Sequence, residues 1–152
     1  MSDRLEGRVA VVTGGASGIG LATAQRLAAE RAVVVVADID PGGKSVADAL
    51  GGRYVRADVS DEAEVDALFA TVVEAFGSVD IAFNNAGVSP PEDDSILTTG
   101  IEAWRKVQEV NLTSVYLCCK AVIPYMLRQG RGSIVNTASF VAVMGAATSQ
   151  IS

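Results

Sequence analysis

A glycine-rich stretch near the amino end of the chain has the composition of a phosphate-binding loop. It reads Thr13-Gly-Gly-Ala-Ser-Gly-Ile-Gly20 and lies between a β-branched run and a segment with apolar residues at helical spacing. Glycine lets the backbone turn sharply and approach a pyrophosphate, and the first turn of the following helix offers free N–H groups and a partial positive charge. The residues that we expect to contact the phosphates are Gly14, Ser17, Gly18, Ile19 and Gly20.

A carboxylate follows at the distance that dinucleotide binding requires. Asp38 ends a second apolar run, 18 residues after Gly20, where its oxygens can accept hydrogen bonds from both hydroxyls of an adenosine ribose. The alternative is that Asp38 caps a helix in a tight turn. Because Asp38 occurs together with the glycine-rich stretch, we expect it to bind the ribose.

Further polar residues lie farther along the chain, at Asp58-Val59, Asn84-Asn85-Ala86-Gly87, Asn111 and Ser139. Taken alone, the Asn-Asn-Ala-Gly segment is also typical of a turn with a positive φ at its glycine, Asn111 of a polar helix residue and Ser139 of a loop serine. Open α/β sheets bind ligands beyond the carboxyl ends of their strands. The residues that we expect at that edge because they follow predicted strands are Gly14, Asp38, Asp58, Asn85 and Ser139.

The elements that position these residues alternate between strand and helix. The predicted strands are Arg8–Thr13, Val33–Asp38, Arg53–Ala57, Val79–Phe83 and Ser133–Thr137, and the predicted helices are Gly18–Glu30, Gly43–Leu50, Glu62–Phe76 and Glu102–Arg128. This order indicates right-handed βαβ units and a parallel sheet covered on both faces. The fold class is therefore α/β, a doubly wound parallel sheet of the Rossmann type, in one dinucleotide-binding domain over residues 1–152.

Five motifs in this order resemble the short-chain dehydrogenase/reductase family. The glycine spacing Thr-Gly-x-x-x-Gly-x-Gly is similar to the family's cofactor motif, and Asp58-Val59 resembles its adenine contact. Asn85 and Gly87 belong to a segment similar to its central Asn-Asn-Ala-Gly motif. The resemblance implies that Asn111 is the catalytic Asn, which positions a water in a proton relay, and that Ser139 is the catalytic Ser, which binds the substrate oxygen.

The resemblance implies reversible hydride transfer between a nicotinamide cofactor and a small-molecule carbonyl or alcohol substrate. We expect NAD(H) rather than NADP(H), because a 2′-phosphate would lie against the charge of Asp38. Relatives that use NADP(H) often place an Arg nearby, where this chain has Ser17 and Ile39. The alternative from another functional class is a non-catalytic nucleotide-binding or oligomerisation module with the same fold.

The family's general acid/base is a Tyr followed four residues later by a Lys, about a dozen residues after the catalytic Ser. The chain ends at Ser152 without such a pair after Ser139, so we expect a truncated enzyme that lacks its last strands and is inactive alone. Tyr116 and Lys120 have the right spacing, but they precede Ser139. Tyr116 is about 140° around an ideal helix from Asn111. The residues of the tail Phe140–Ser152 are mostly small and apolar, so we expect another segment to cover this tail.

The amino-acid composition disfavours several classes of binding partner and site. The formal net charge is −6, which disfavours nucleic acid and anionic membranes because both attract positive surfaces. Histidine is absent, so we expect no metal site and no Ser-His or Cys-His nucleophile. The two cysteines are adjacent, and the amino terminus has no apolar signal segment, which favours a cytoplasmic protein.

The predicted helix Glu102–Arg128 has apolar residues over more of its surface than one buried face needs. A helix that packs on a sheet requires an apolar stripe of roughly 100°. The additional apolar surface indicates a second packing partner. We therefore expect a homo-oligomer, with a tetramer favoured.

Overall fold

A computed structural model of the chain describes residues 3–139, and the tail Phe140–Ser152 lies outside the described residues. The strands are β1 Val9–Thr13, β2 Val33–Asp38, β3 Arg53–Arg56, β4 Ile81–Asn84 and β5 Ser133–Asn136. The helices are α1 Gly18–Ala29, α2 Gly43–Ala49, α3 Glu62–Phe76, α4 Ile101–Gln108 and α5 Ser114–Gln129. The five predicted strands and the first three predicted helices are all present, with boundaries shifted by at most two residues.

The five strands form one parallel sheet in the order β3-β2-β1-β4-β5, which confirms the predicted fold class. Residues of β1 alternate between two cores. Val11 packs with residues of α3 and α5, whereas Val12 packs with residues of α1 and α2. Both faces of the central strands are therefore covered, which explains why β1 and β2 are continuous apolar runs.

The predicted single helix over 102–128 differs from the structure in its middle. The helical stretch begins at Ile101 and ends at Gln129, but a π-helical segment, Glu109–Thr113, separates α4 from α5. Apolar spacing cannot reveal such a segment, because one wider turn shifts the buried face without removing it. Gly130, with φ +71°, ends α5 in the left-handed region that favours glycine.

The same stretch, Ile101–Gln129, is long and apolar enough by length and composition to cross a bilayer. Its α5 part buries Leu117, Cys118 and Val122 in the core that packs on the sheet. The core helix of a water-soluble protein passes the same length test. Packing against the sheet accounts for the apolar character of this buried face.

At the amino ends of the strands, one buried carboxylate connects three parts of the chain. Asp80 precedes β4 and is only 5% exposed. Its Oδ1 accepts hydrogen bonds from Arg8 Nη1 at 2.9 Å and Arg131 Nε at 2.7 Å. Its Oδ2 accepts hydrogen bonds from the Val9 backbone N at 3.0 Å and the Ser78 hydroxyl at 3.2 Å. Burial alone would raise the pKa of Asp80, but these four bonds outweigh burial and lower it to about 2.

We predict that Asp80→Asn lowers the free energy of unfolding by about 2 kcal/mol at neutral pH, because the amide cannot replace the charged bonds to two arginines. The pKa falls from 3.8 unfolded to about 2 folded, so this stability is present above pH 4 and is lost as the pH falls toward 2. Urea unfolding at both pH values measures the effect. The control is Asp48→Asn, which removes a pair between exposed side chains; an equal loss in both variants would contradict the prediction.

Candidate dinucleotide-binding site

A cavity of about 400 Å³ opens at the carboxyl edge of the sheet. Its lining residues are Gly14, Ser17, Gly18, Ile19, Asp38, Ile39, Ala57, Asp58, Val59, Asn85, Ala86, Gly87, Val88, Val110 and Thr137. The structure thus brings together nine of the residues predicted from the sequence. Gly20, Asn111 and Ser139 do not line the cavity, and their positions are described below.

Three glycines of the β1–α1 loop and of the first turn of α1 have different roles. Gly14 has φ +65°, and a Cβ there would lie 2.9 Å from the Ala86 Cα, so the loop touches the backbone after β4. A Cβ on Gly20 would lie 2.0 Å from the Gly14 carbonyl oxygen, so Gly20 supports the loop by close packing instead of facing the cavity. Gly18 has φ +53° and open space where a Cβ would project. Gly18 and Ile19 place the first turn of α1 at the cavity wall.

A chain of hydrogen bonds connects this loop to the ends of β4 and β5. The buried Thr13 hydroxyl accepts hydrogen bonds from the backbone N–H groups of Asn85 at 2.9 Å and Ala86 at 3.2 Å. The Asn85 side chain donates from Nδ2 to the Thr13 carbonyl at 3.2 Å, and its Oδ1 accepts from the Thr137 hydroxyl at 3.2 Å. Three strand ends are therefore held in one arrangement beneath the cavity.

Asp38 lies at the end of β2 and faces the glycine-rich loop. Its Oδ2 accepts a hydrogen bond from the Ala16 backbone N at 2.9 Å, and its Oδ1 accepts one from the Asp40 backbone N at 3.0 Å. A carboxylate has about four lone-pair sites, so each oxygen retains acceptor capacity for a hydroxyl. The Tyr54 hydroxyl donates to the Asp38 carbonyl at 3.0 Å. Burial, followed by the charge of Asp38, raises the pKa of Tyr54.

Asp58 and Val59 form the neighbouring part of the wall. Asp58 Oδ1 accepts hydrogen bonds from the Ser60 hydroxyl at 2.6 Å and the Ser60 backbone N at 2.9 Å. These bonds lower the pKa of Asp58, the hydroxyl having the larger effect. The Asp58 backbone N donates to Glu64 Oε2 at 2.8 Å, which fixes the turn between β3 and α3. Val59 is buried and supplies an apolar surface beside this carboxylate.

Asn111 lies in the π-helical segment and holds the loop after β4. Its Oδ1 accepts a hydrogen bond from the Val88 backbone N at 2.7 Å, and its Nδ2 donates to the Val88 carbonyl at 2.8 Å. The explanation of Gly87 by a positive φ is wrong, because Gly87 is not among the positive-φ glycines of the described chain. A Cβ on Gly87 would instead lie 3.4 Å from Asn111 Oδ1, so the absence of a side chain leaves room at the cavity rim.

Ser139 is exposed and follows the cavity-lining Thr137 by two residues. Tyr116 and Lys120 lie elsewhere. The Tyr116 side chain is 62% exposed, and Lys120 Nζ lies 5.9 Å from the centre of its ring. Lys120 Nζ also donates to Glu62 Oε1 at 2.6 Å, which raises the pKa of Lys120. Lys120 therefore faces α3, and neither residue lines the cavity.

The cavity combines features that suit a dinucleotide. The first turn of α1 and the open space at Gly18 suit a pyrophosphate. The Asp38 carboxylate suits a ribose, and Val59, Val88 and Val110 provide apolar wall for flat rings. A crevice beyond the carboxyl ends of parallel strands is where doubly wound proteins bind nucleotides. The fold is therefore of the Rossmann type, and its cavity has the features that suit a dinucleotide.

Comparison with known proteins identifies the family. The family model described as short chain dehydrogenase matches residues 8–151. The chain is 45% identical to the 2,5-dichloro-2,5-cyclohexadiene-1,4-diol dehydrogenase of Sphingobium indicum, over 95% of this chain and 59% of the relative. It is 44% identical to the cis-4-hydroxycyclohexanecarboxylate dehydrogenase of Sinomonas cyclohexanicum, over 98% of this chain and 61% of the relative. The chain belongs to the short-chain dehydrogenase family.

The fold comparison agrees with the sequence comparison. The crystal structure of levodione reductase superposes with a TM-score of 0.90 at 37% identity, covering 97% of this chain and 59% of that one. The chain thus spans about three fifths of the length of the curated relatives that it matches.

The sequence alone does not indicate the positions of Thr137, Val110 and Thr13 in the site. Thr137 and Val110 line the cavity, and the Thr13 hydroxyl supports it from beneath. In the sequence Thr13 stands out only as the first residue of the glycine motif, although a hydroxyl at the end of a buried strand needs a partner. No local pattern could reveal that its partners are backbone groups more than 70 residues away.

We predict that Thr13→Val lowers the free energy of unfolding by about 2–4 kcal/mol, because the N–H groups of Asn85 and Ala86 lose their buried acceptor. Valine keeps the shape and the strand preference. Urea unfolding measures the loss. Thr13→Ser, which retains the hydroxyl, is the matched control, and equal stability of the two variants would show that these bonds are unimportant.

Proposed function

We propose that this chain is the cofactor-binding part of an oxidoreductase that transfers a hydride between NAD(H) and a carbonyl or alcohol substrate. The observation that carries the proposal is the Asp38 carboxylate, which faces the same cavity as the first turn of α1. Membership of the short-chain dehydrogenase family and the dehydrogenase names of the relatives support it. The nicotinamide supplies the hydride chemistry, and the protein supplies binding, orientation and proton transfer.

The preference for NAD(H) rests on charge. An adenosine ribose that donates to Asp38 would bring a 2′-phosphate against this carboxylate, and juxtaposed like charges cost several kcal/mol. The next residue, Ile39, lines the cavity and is 58% exposed, so it offers a phosphate no charge. Ser17 also lines the cavity and likewise carries no positive charge for a phosphate.

Ser139 and Asn111 have different proposed roles. Ser139 binds the oxygen of the substrate, as the family resemblance implies, and the Thr137 hydrogen bonds hold its strand end in place. The Asn111 side chain uses both of its polar atoms on Val88. The Asn111 side chain therefore positions the loop after β4. We propose that it is the Asn111 backbone that contacts a relay water.

The proton donor is proposed to lie beyond Ser152. The chain has three tyrosines in all, Tyr54, Tyr116 and Tyr125, and none of them lines the cavity. Tyr54 is bonded to the Asp38 carbonyl near the ribose end, whereas Tyr116 and Tyr125 lie on α5. We propose that the full-length protein continues into the family's Tyr-x-x-x-Lys pair.

The substrate is proposed to be a small secondary alcohol or ketone. The protein itself is proposed to be cytoplasmic. Two relatives are named for hydroxyl groups on six-membered carbon rings, which makes cyclic alcohols the first class to test. Val88 and Val110 give one cavity wall the apolar character that such rings need.

A homo-oligomer, with a tetramer favoured, is proposed from the outer face of α5. Tyr116 and Leu127 are 62% and 75% exposed, and Leu112 just before α5 is 64% exposed. A groove of about 530 Å³ lies between α3 and α5, where small residues such as Ala67 and Ala121 allow another helix to approach closely. A second copy of the helix would bury this apolar surface.

We predict that the full-length protein oxidises cyclic secondary alcohols with NAD+ and has a kcat/KM at least about 100-fold lower with NADP+. Absorbance of the reduced cofactor measures both rates. Equal or better use of NADP+ would contradict the cofactor assignment. Binding of NAD(H) without turnover of any alcohol or ketone would favour the non-catalytic module.

Residues 1–152 alone serve as the second arm of this experiment. We expect no measurable turnover, because general acid/base help is worth about 10²–10⁴-fold and losing its partners adds to the loss. Tyr116→Phe in the full-length protein should retain its activity. Turnover by residues 1–152 comparable to that of the full-length protein would mean that another residue transfers the proton.

We predict that the full-length protein is an oligomer at micromolar concentration and that Leu127→Asp weakens it, because a buried carboxylate without a partner is costly. Light scattering measures the mass of both proteins. Lys44→Gln, on an exposed position of α2, is the control that should leave the mass unchanged. A wild-type protein that is only monomeric would refute the proposed interface.

A further inference from the structure

A cation lies beside the carboxylate proposed to bind the ribose. Arg56 ends β3 and is the register partner of Asp38 on β2, and neighbouring strands are about 4.8 Å apart. Both charges act on the Tyr54 hydroxyl. Burial is the main reason that the pKa of Tyr54 is raised, the charge of Asp38 raises this pKa further, and the charge of Arg56 lowers it. An arginine side chain at this position is long enough to reach a phosphate on the same ribose.

Arg56 is directed toward a different partner in the structure. Its Nη1 donates to Glu64 Oε2 at 2.8 Å. The same oxygen accepts the Asp58 backbone N at 2.8 Å, and the Glu64 backbone N donates to the N-cap residue Asp61 at 3.1 Å. Glu64 is therefore fixed by its own backbone and by the β3–α3 turn, so its carboxylate remains in place whether or not Arg56 is bound.

The other cation near this edge also has a local partner. Lys44, in the first turn of α2, donates to Asp48 Oδ2 at 2.8 Å, one turn farther along the same helix. Asp38 ends β2, and Asp40 lies between β2 and α2. A 2′-phosphate at this edge would therefore meet carboxylates, while the nearest guanidinium is already paired.

We propose that Glu64 is a specificity-determining residue, because it holds Arg56 away from the position that a 2′-phosphate would take. This inference rests on the proposed function, in which Asp38 binds the adenosine ribose. Arginine is the usual partner of such a phosphate. In this protein the arginine is present, and it is a neighbouring glutamate that keeps it from serving NADP(H).

The expected effect is moderate. The Arg56 and Glu64 side chains are 59% and 37% exposed, and pairs with this exposure are weakened by solvent screening. Releasing Arg56 should therefore strengthen binding of a 2′-phosphorylated nucleotide about three- to tenfold. Because Asp38 remains in place, we expect the ratio of the affinities for nucleotides with and without a 2′-phosphate to change, but not the preference to reverse.

Isothermal titration of the full-length protein with ADP and 2′,5′-ADP tests this inference, because both probes contain the adenosine but only one has the 2′-phosphate. In Glu64→Gln the amide oxygen can still accept the Asp58 N–H, so the turn is retained. We expect ADP affinity to stay within about twofold of wild type. The affinity for 2′,5′-ADP should rise about three- to tenfold.

Two further variants identify the cation responsible. Glu64→Gln/Arg56→Gln should lose the gain, because the released guanidinium is gone. Glu102→Gln removes the same charge and releases Arg105, whose pair with Glu102 lies on α4, so it should leave the ratio unchanged. A gain that persists in the double variant, or that Glu102→Gln reproduces, would overturn the inference.

The outcomes for the two proposals are distinct. If wild-type protein binds ADP and Glu64→Gln leaves the ratio of the two probes unchanged, the role of Glu64 is wrong while the cofactor site stands. If wild-type protein fails to bind ADP, or if Asp38→Ala leaves ADP binding intact, the proposed function is wrong and the inference fails with it.

Discussion

The contact between the β1–α1 loop and the backbone after β4 is the constraint on which the rest of the site depends. Gly14 approaches the Ala86 Cα so closely that a Cβ would lie 2.9 Å away, and Gly20 packs on the Gly14 carbonyl. The Thr13 hydroxyl holds this contact by accepting two backbone N–H groups. Backbone packed on backbone leaves little room for adjustment, so the first turn of α1 has a fixed direction. That direction determines where the proposed pyrophosphate would lie.

The residues that stabilise the fold and those that line the cavity lie at opposite ends of β4. Asp80, before the strand, accepts hydrogen bonds from two arginines, the Val9 backbone N–H and the Ser78 hydroxyl, and it lines neither the cavity nor the groove between α3 and α5. Asn85, after the strand, uses its side chain to connect Thr13 with Thr137 and also lines the cavity. A short strand between two such clusters has a fixed register, because a shift would break hydrogen bonds at both ends. The carboxylate of Asp80 therefore helps to hold the binding edge without approaching a ligand.

Much of the fold and of the site could be predicted because the signals are local. The buried runs in β1 and β2, the glycine spacing and the aspartate at the end of β2 are all contained in short segments. The π-helical segment was missed because apolar spacing does not distinguish one wide turn from regular helix. The packing role of Gly20 and the hydrogen bond from Thr137 to Asn85 were missed because their partners are distant or lie in the backbone. Asn111 was predicted for its family role, whereas its bonds to Val88 could be seen only in the structure.

The proposed preference for NAD(H) depends on which charges around the cavity are already paired. From the sequence, the preference for NAD(H) is expected from the negative charge of Asp38 and from the absence of an arginine next to it in the chain. The register places Arg56 beside Asp38 in space, which by itself would weaken that argument. The bond from Arg56 to Glu64 resolves the conflict, since a guanidinium that already donates to a fixed carboxylate must break that bond before it can serve a phosphate. The charge that a ligand meets is therefore set by the pairing around the cavity as much as by the residues that line it.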